Sequence, residues 1–317
     1  MSIRTRIVKS LLWVVLGCGF LQSAVIADES DKGAAGYSAI LVPGSGQYSR
    51  QVDSLLPAAQ PFFDQGLRLA WAFYFPESIA SYQEASRLDP THPMPYWGLA
   101  HAAGPNPNSR YAQMPDDPNG IGKAAINKAL DYIERASATE SALIQALRIF
   151  YDDEAIPDPD DRDLAYLSAM RALNQQFPAD PDIAALYAAS YMSIRRWDYW
   201  DGAGEPKSET LQVAAALEKI IETDRTHPGV LHLHIHLIEA SRHPERAMVS
   251  ANALEATVPI AGHVVHMPAH IYIRVGDYDR AIANNRRSLA VDQEFAAIWG
   301  DRPLPNQGTY NLSHRVH

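Results

Sequence analysis

Residues 228–292 read PGVLHLHIHLIEASRHPERAMVSANALEATVPIAGHVVHMPAHIYIRVGDYDRAIANNRRSLAVD. Sliding this stretch along itself by 34 residues sets His232 on His266, His236 on His270, Arg246 on Arg280 and Ala247 on Ala281. The two segments are repeats of one unit.

A 34-residue period made of two short helices is the signature of the tetratricopeptide (TPR) solenoid, in which each helical pair buries its apolar face only by stacking on the next. The sequence therefore predicts an all-α, TPR-type solenoid of helical hairpins winding into a right-handed superhelix. With Ala247 and Ala281 numbered as position 20, the first helix of one repeat carries His232, His236 and Glu239 at positions 5, 9 and 12. The next carries His263, His266 and His270 at positions 2, 5 and 9. Spacings of three, four and seven residues put each set on one helical face. In a TPR repeat these positions line the concave groove. Of the eight such positions in the pair, only Gly229 and Ile273 are not His or Glu.

Outward from this core, Phe62, Gly66, Leu69, Ser78, Tyr82, Ala85 and Pro90 fit the TPR pattern at positions 4, 8, 11, 20, 24, 27 and 32. Tyr96, Leu99 and Ala100 open a second repeat, which the turn-rich residues 104–121 interrupt. Its second helix is expected from about Lys123 to Ala136. Further helical patterns cover 140–151, 163–176, 183–195 and 208–223, separated by turn signals such as Pro157-Asp158-Pro159-Asp160. No convincing strand is visible. Two more insertions, 196–207 and 293–309, carry Trp197, Tyr199, Trp200 and Trp299. These four aromatics are candidate substrate contacts, with inward packing as the structural alternative.

The N-terminus has the layout of a signal peptide over residues 1–27: Arg4, Arg6 and Lys9, then a short apolar run, then Val25-Ile26-Ala27. The chain is thus expected to be exported, to the periplasm or beyond. Val15-Leu16-Gly17-Cys18 is a weaker match to a lipoprotein site that would anchor it at Cys18. Residues 28–58 read as a flexible leader and 59–317 as the solenoid, without a capping helix. Cys18 is the only cysteine, so cleavage after Ala27 leaves no disulfide and no thiolate, and any metal site must use nitrogen and oxygen. The full chain has a formal charge of −10; losing three basic residues with the leader leaves 24 basic against 37 acidic, or −13. That balance argues against nucleic acid as a partner. No stretch after the leader is long and apolar enough to span a bilayer.

Residues 62–317 resemble a group of bacterial TPR proteins that carry a segment like Tyr96-Trp97-Gly98-Leu99-Ala100 with Gly104-Pro105-Asn106-Pro107-Asn108, and later Ala261-Gly262-His263-Val264-Val265-His266-Met267-Pro268-Ala269-His270-Ile271-Tyr272. The resemblance implies an exported, histidine-rich TPR protein that continues with a His-x-x-His helix. His314 and His317, at the same spacing as His263 and His266, would begin it.

Ten of the twelve histidines follow residue 226, and five share the groove register of neighbouring helices. Peptide grooves do not need that concentration, whereas neutral imidazole is the commonest protein metal ligand. The predicted metal set is His232, His236, Glu239, His263, His266 and His270, with His101, His314 and His317 as additional candidates. Glu239 is the expected ligand or general base. His234 reads as a packing residue, His243 as exposed, and His92 and His227, both in Thr-His-Pro, as capping residues. Imidazoles with one carboxylate suit a divalent transition metal: copper by preference, then zinc or iron, and not calcium or magnesium. Five or more histidines leave room for two ions. The expected protein is a metal-dependent oxidoreductase or hydrolase acting on a small molecule or peptide in the groove. Its rivals are a scaffold gripping a peptide and a metal carrier without catalysis.

Overall fold

The computed structural model describes residues 39–104, 106–107 and 117–302. The expected signal peptide with Cys18, and the pair His314 and His317, lie outside these residues.

Helix starts follow one local rule. Proline opens a helix where its missing N–H costs nothing, and the residue before it turns a side-chain acceptor onto the free amides of the first turn. Asp117, Asp158 and Asp180 cap in this way before Pro118, Pro159 and Pro181. His92 and His227 do the same before Pro93 and Pro228, their Nδ1 atoms accepting from Met94 N at 3.2 Å and Val230 N at 3.0 Å. The two Thr-His-Pro histidines are caps, as expected.

The helices in chain order are α1 (Gln60–Trp71), α2 (Phe75–Leu88), α3 (Pro93–Ala103), α4 (Pro118–Asp131), α5 (Ala138–Tyr151), α6 (Pro159–Gln176), α7 (Pro181–Arg195), α8 (Thr210–Thr223), α9 (Pro228–Ile238), α10 (Met248–Leu254), α11 (Gly262–His266), α12 (Pro268–Arg274) and α13 (Tyr278–Trp299). The described residues are helical, with an isolated antiparallel bridge from Trp200 to Pro206 and no strand among them. Pro268 has no N–H to return to Val264, which divides one expected helix into α11 and α12.

Three expectations shift. α4 starts at Pro118, so Asn119 and Gly120 belong to a helix and not to the insertion. That helix stops at Asp131, and Ile133–Arg135 form a 3-10 turn. Residues 293–299, expected as part of an insertion, continue α13, with Val291, Phe295 and Trp299 buried in a stripe at four-residue spacing.

Helices α1 to α10 pack each on the next, α10 then packs on α12, and α9 additionally receives α1 and α7. Small residues allow the close approaches. A Cβ on Gly98 would lie 2.1 Å from the Tyr82 ring, so that ring seats directly on α3. A Cβ on Gly229 would lie 2.4 Å from Trp71, so the end of α1 rests on the start of α9. Residues 39–58 form no helix but are pinned, with Val42, Val52 and Leu55 buried and Val42 N donating to Gln65 Oε1 at 2.7 Å.

One buried carboxylate ties these parts together. Asp182, at the start of α7, accepts from Tyr48 Oη at 2.7 Å, Arg50 at 2.8 Å, His227 Nε2 at 2.9 Å and Trp71 Nε1 at 3.4 Å. Burial alone would raise its pKa, but the His227 imidazole, the Arg50 guanidinium and the Tyr48 hydroxyl outweigh that and hold it well below the usual carboxylate range. The leader, α1, α7 and α9 therefore meet at a satisfied buried anion, and Trp71 is fixed there by its indole.

Candidate metal centre

α9 is buried along its whole length, so the histidines it carries face the interior and not solvent. His234 faces away from the others, its Nδ1 2.8 Å from Ser250 Oγ and its Nε2 3.4 Å from Glu218. His243 is exposed and pairs with Glu245. His232 and His236, one turn apart on the opposite face, meet the histidines of α11 and α12.

The orientation of these rings is fixed by what their Nδ1 atoms bond. His232 Nδ1 donates to the Trp71 carbonyl at 2.6 Å, so neutral His232 carries its lone pair on Nε2. Burial, reinforced by neighbouring His236, pushes its pKa well down and keeps it neutral. His270 Nδ1 donates to the Glu239 carboxylate. His266 Nδ1 lies 2.6 Å from the Asn285 amide oxygen. With Nδ1 protons committed to a carbonyl, a carboxylate and an amide oxygen, the three Nε2 atoms carry the lone pairs. Outer acceptors of this kind set tautomer and aim in histidine metal sites.

Those lone pairs face other imidazole nitrogens at close range. His232 Nε2 lies 3.1 Å from His263 Nε2, and His266 Nε2 lies 2.9 Å from His270 Nε2. Two nitrogens bound at about 2.0–2.1 Å to one ion, about 90–109° apart, would be separated by about 2.9–3.3 Å. The observed spacings match an edge of such a coordination shell.

His236 is the second clue. Its ring is buried and neither nitrogen has a hydrogen-bond partner among the described residues; the nearest charge is Glu239 Oε1, 3.6 Å from Nδ1. A buried imidazole left this way recovers for its lost hydration only a long contact to one carboxylate, a pattern that an ion would explain. Ligand atoms of His232, His236 and His263 lie within 4.8 Å of one another, and so do those of His236, Glu239 and His270. Both groups could hold a metal ion, and His236 belongs to both. Burial lowers the pKa of His236 despite Glu239 beside it. Glu239 would be raised by burial, but its contacts with His236 and His270 outweigh that and hold it ionised. The site thus offers neutral nitrogens and one anionic oxygen, the donor set of a transition metal.

No protein-family model matches this chain, and no curated protein does.

Of the predicted ligands, His232, His236, Glu239, His263 and His270 fall into the two groups, and His266 stands against His270. His101 is not in either. It is held between Trp97, stacked at 5.6 Å, and Trp71, tilted at 5.3 Å. Among the aromatic candidates, Trp197 reaches the cluster, edge-on to His236 with ring centroids 4.9 Å apart. It is 41% exposed and lies on the side where Glu239 and His270 are also partly open. Arg196 and Trp197 both adopt left-handed backbone, at φ 45° and 72°, a conformation disfavoured for such side chains and concentrated at functional sites. Tyr199 and Trp200 turn inward, Tyr199 Oη donating to Met192 O and Trp200 Nε1 to Leu237 O at 2.6 Å. Trp299 is buried at the end of α13 against Phe295.

Sequence reasoning missed three residues of the site. Trp71 supplies the carbonyl for His232. Asn285 stands at position 24 of its repeat, where the first repeat places Tyr82; a polar residue at a packing position was the available signal. Phe73 lies over the cluster, its ring centroid 4.4 Å from that of His232, 5.2 Å from His263 and 6.1 Å from His236. In the expected repeat numbering it takes position 15, in the turn after α1, with φ 62°. The corresponding Gly276 has φ 83°. Both turns close with the same pair of bonds, Phe73 N to Ala70 O and Tyr74 N to Leu69 O in one, Gly276 N to Ile273 O and Asp277 N to Tyr272 O in the other. That is the Schellman C-cap, which favours glycine at its left-handed residue. A phenylalanine there holds strained backbone to deliver its ring to the imidazoles.

Proposed function

We propose that this chain is an exported tetratricopeptide-repeat protein, periplasmic or secreted, whose groove holds a transition-metal centre and which acts as a metal-dependent enzyme. The carrying observation is the orientation of the imidazoles. The Nδ1 atoms of His232, His266 and His270 are bound to outer acceptors while their Nε2 atoms stand in two pairs at metal-ligand spacing, His232 with His263 and His266 with His270.

The repeat assignment is supported by the 34-residue register, by sequential helix packing and by the matched C-caps at Phe73 and Gly276. Copper is preferred and zinc is next, because the donors are imidazoles with one carboxylate and no thiolate remains after the expected cleavage. Two ions sharing His236 would use both ligand groups. Bound here, the metal would supply a Lewis acid, or a redox centre if it is copper. The chain's own residues would do the rest. Glu239 holds the His270 proton and is placed to accept another near the open side. Phe73 keeps water off the inner face, and Trp197 offers a ring to a small molecule or peptide approaching past Glu239. The reaction is then an oxidation or a hydrolysis. A carrier would instead fill every coordination position with protein donors.

The test is reconstitution of chelator-treated protein with Cu(II) and, separately, Zn(II), followed by electron paramagnetic resonance of the copper form. Hyperfine structure from three or more equivalent nitrogens, lost in His236→Ala, supports the reading. A spectrum of aqueous or oxygen-ligated copper contradicts it.

A further inference from the structure

The hairpin of α12 and α13 carries a run of apolar side chains in solvent. Ile273, Val275, Tyr278 and Ile282 are 49%, 39%, 62% and 49% exposed. Single exposed apolar residues are ordinary, but several gathered on one short hairpin mark a surface that associates with something. Ile273 and Val275 lie at the end of α12, just before the turn. Tyr278 and Ile282 are one turn apart on α13, and Arg286, also exposed, follows one turn further on the same face.

The 34-residue register shows what such a face receives. One period earlier the same positions are Glu239, Ser241, Pro244 and Met248, and none of these is exposed. A helix covers them: α12 packs on α9, on the 3-10 turn Pro244–Ala247 and on α10. Its His270 bonds Glu239, and its Tyr272 hydroxyl donates to Asn252 Oδ1 at 3.2 Å. One period on, Glu239 is replaced by Ile273, Ser241 by Val275 and Asn252 by Arg286. The exposed face is thus more apolar than the covered one, the opposite of a hairpin made to end an array in water. Its charge is also distinctive. The chain is acidic overall, at −10, yet residues 273–290 hold Arg274, Arg280, Arg286 and Arg287 against Asp277 and Asp279. Arg280 pairs with Asp277 and Arg287 with Glu255, while Arg274 and Arg286 stand exposed beside the apolar run.

We infer that this hairpin is the docking face for an amphipathic, acidic helix of a partner protein, seated on it as α12 is seated on the hairpin before. The partner's apolar stripe meets Ile273, Val275, Tyr278 and Ile282, and carboxylates beside the stripe meet Arg274 and Arg286. Burial of the apolar side chains supplies the affinity, and the two arginines select the sign of the partner's charge. A second copy using the same face would set these arginines against a surface of their own sign. This site does not depend on the metal reading.

Fluorescence anisotropy tests it, with the full chain titrated into two labelled synthetic helices of about 18 residues. Both carry leucine along one face; the rest is glutamate in one and lysine in the other, with alanine between. The glutamate helix should bind saturably and one to one, and the lysine helix about tenfold more weakly, since two exposed ion pairs become repulsions. High salt should shrink that difference. Tyr278→Ser/Ile282→Ser should weaken both helices by more than about tenfold. Arg286→Glu should erase the preference for glutamate. These side chains are exposed, so the variants should fold, as circular dichroism verifies; Ile282→Ser alone replaces the double variant if that one does not. Absence of saturable binding, equal binding of the two helices, binding undiminished in Tyr278→Ser/Ile282→Ser, or a glutamate preference that survives in Arg286→Glu overturns the inference. So does a dimer in sedimentation that Tyr278→Ser/Ile282→Ser dissociates, which would assign the face to a second copy of the chain.

Discussion

Replacing Phe73 separates backbone strain from side-chain packing. Phe73 is 7% exposed and rests on three imidazoles, so removing its ring should destabilise the fold by about 3–5 kcal/mol, the range for a buried phenylalanine cut to alanine. Its φ of 62° adds a second term that depends on the replacement. Alanine keeps the left-handed penalty of about 1–2 kcal/mol. Glycine relieves it and loses about 0.4–1 kcal/mol through the greater freedom of the unfolded chain. Phe73→Gly should therefore be more stable than Phe73→Ala by roughly 0.5–1 kcal/mol, the reverse of the order at an ordinary helix interior. Urea unfolding of both variants after chelator treatment measures the difference without metal linkage. Both should also release bound metal faster than wild type, since the ring no longer covers the imidazoles. Finding Phe73→Ala as stable as Phe73→Gly would refute the argument that this turn stores strain.

Three further outcomes follow from the same geometry. His236→Leu should abolish the increase in Tm on adding metal while the metal-free protein changes little, because removing two buried nitrogens without hydrogen bonds offsets the lost contact to Glu239; paired thermal scans with and without Cu(II) check this. Asn285→Ala removes the acceptor that orients His266 and should weaken metal binding by about 10–100-fold with little change in helix content, read by competition against a chelator of known affinity. Asp182 is ionised in the fold with its pKa depressed, so its contribution is fully present above the unfolded value of about 3.9 and is lost as pH falls through the lower folded value. Asp182→Asn should lower stability at pH 7 by about 3–5 kcal/mol and flatten the acid limb below about pH 3.9, as measured by unfolding across a pH series.

The local parts of this structure are legible in the sequence. Helix periodicity, Asp-Pro and His-Pro starts and the 34-residue register place the helices, and the same register puts His232, His236, His263, His266 and His270 on facing surfaces. Where the reading slipped, a signal was present but outweighed. Pro118-Asn119-Gly120 has turn composition, yet Asp117 before Pro118 is a capping pair. Val291, Phe295 and Trp299 already spell a helical stripe through what was read as an insertion. The approach of α1 to α9 was not legible. It joins Trp71 to His232 across 161 residues, a contact that no local pattern records. Gly229, an apparent gap in the histidine pattern, is explained only by that approach, because the Trp71 indole fills its place. The same long-range geometry brings Phe73 over the cluster and leaves His101 outside both ligand groups.

Elemental analysis of the untagged protein, purified from its native compartment, tests the central claim most directly when set beside a His232→Ala/His266→Ala double variant. The account predicts about one or two equivalents of copper or zinc per chain in the wild type, lost in the folded variant. A wild type that carries no transition metal and takes up none on reconstitution would contradict it, and would leave the buried imidazoles as hydrogen-bonding residues of a groove that binds something else.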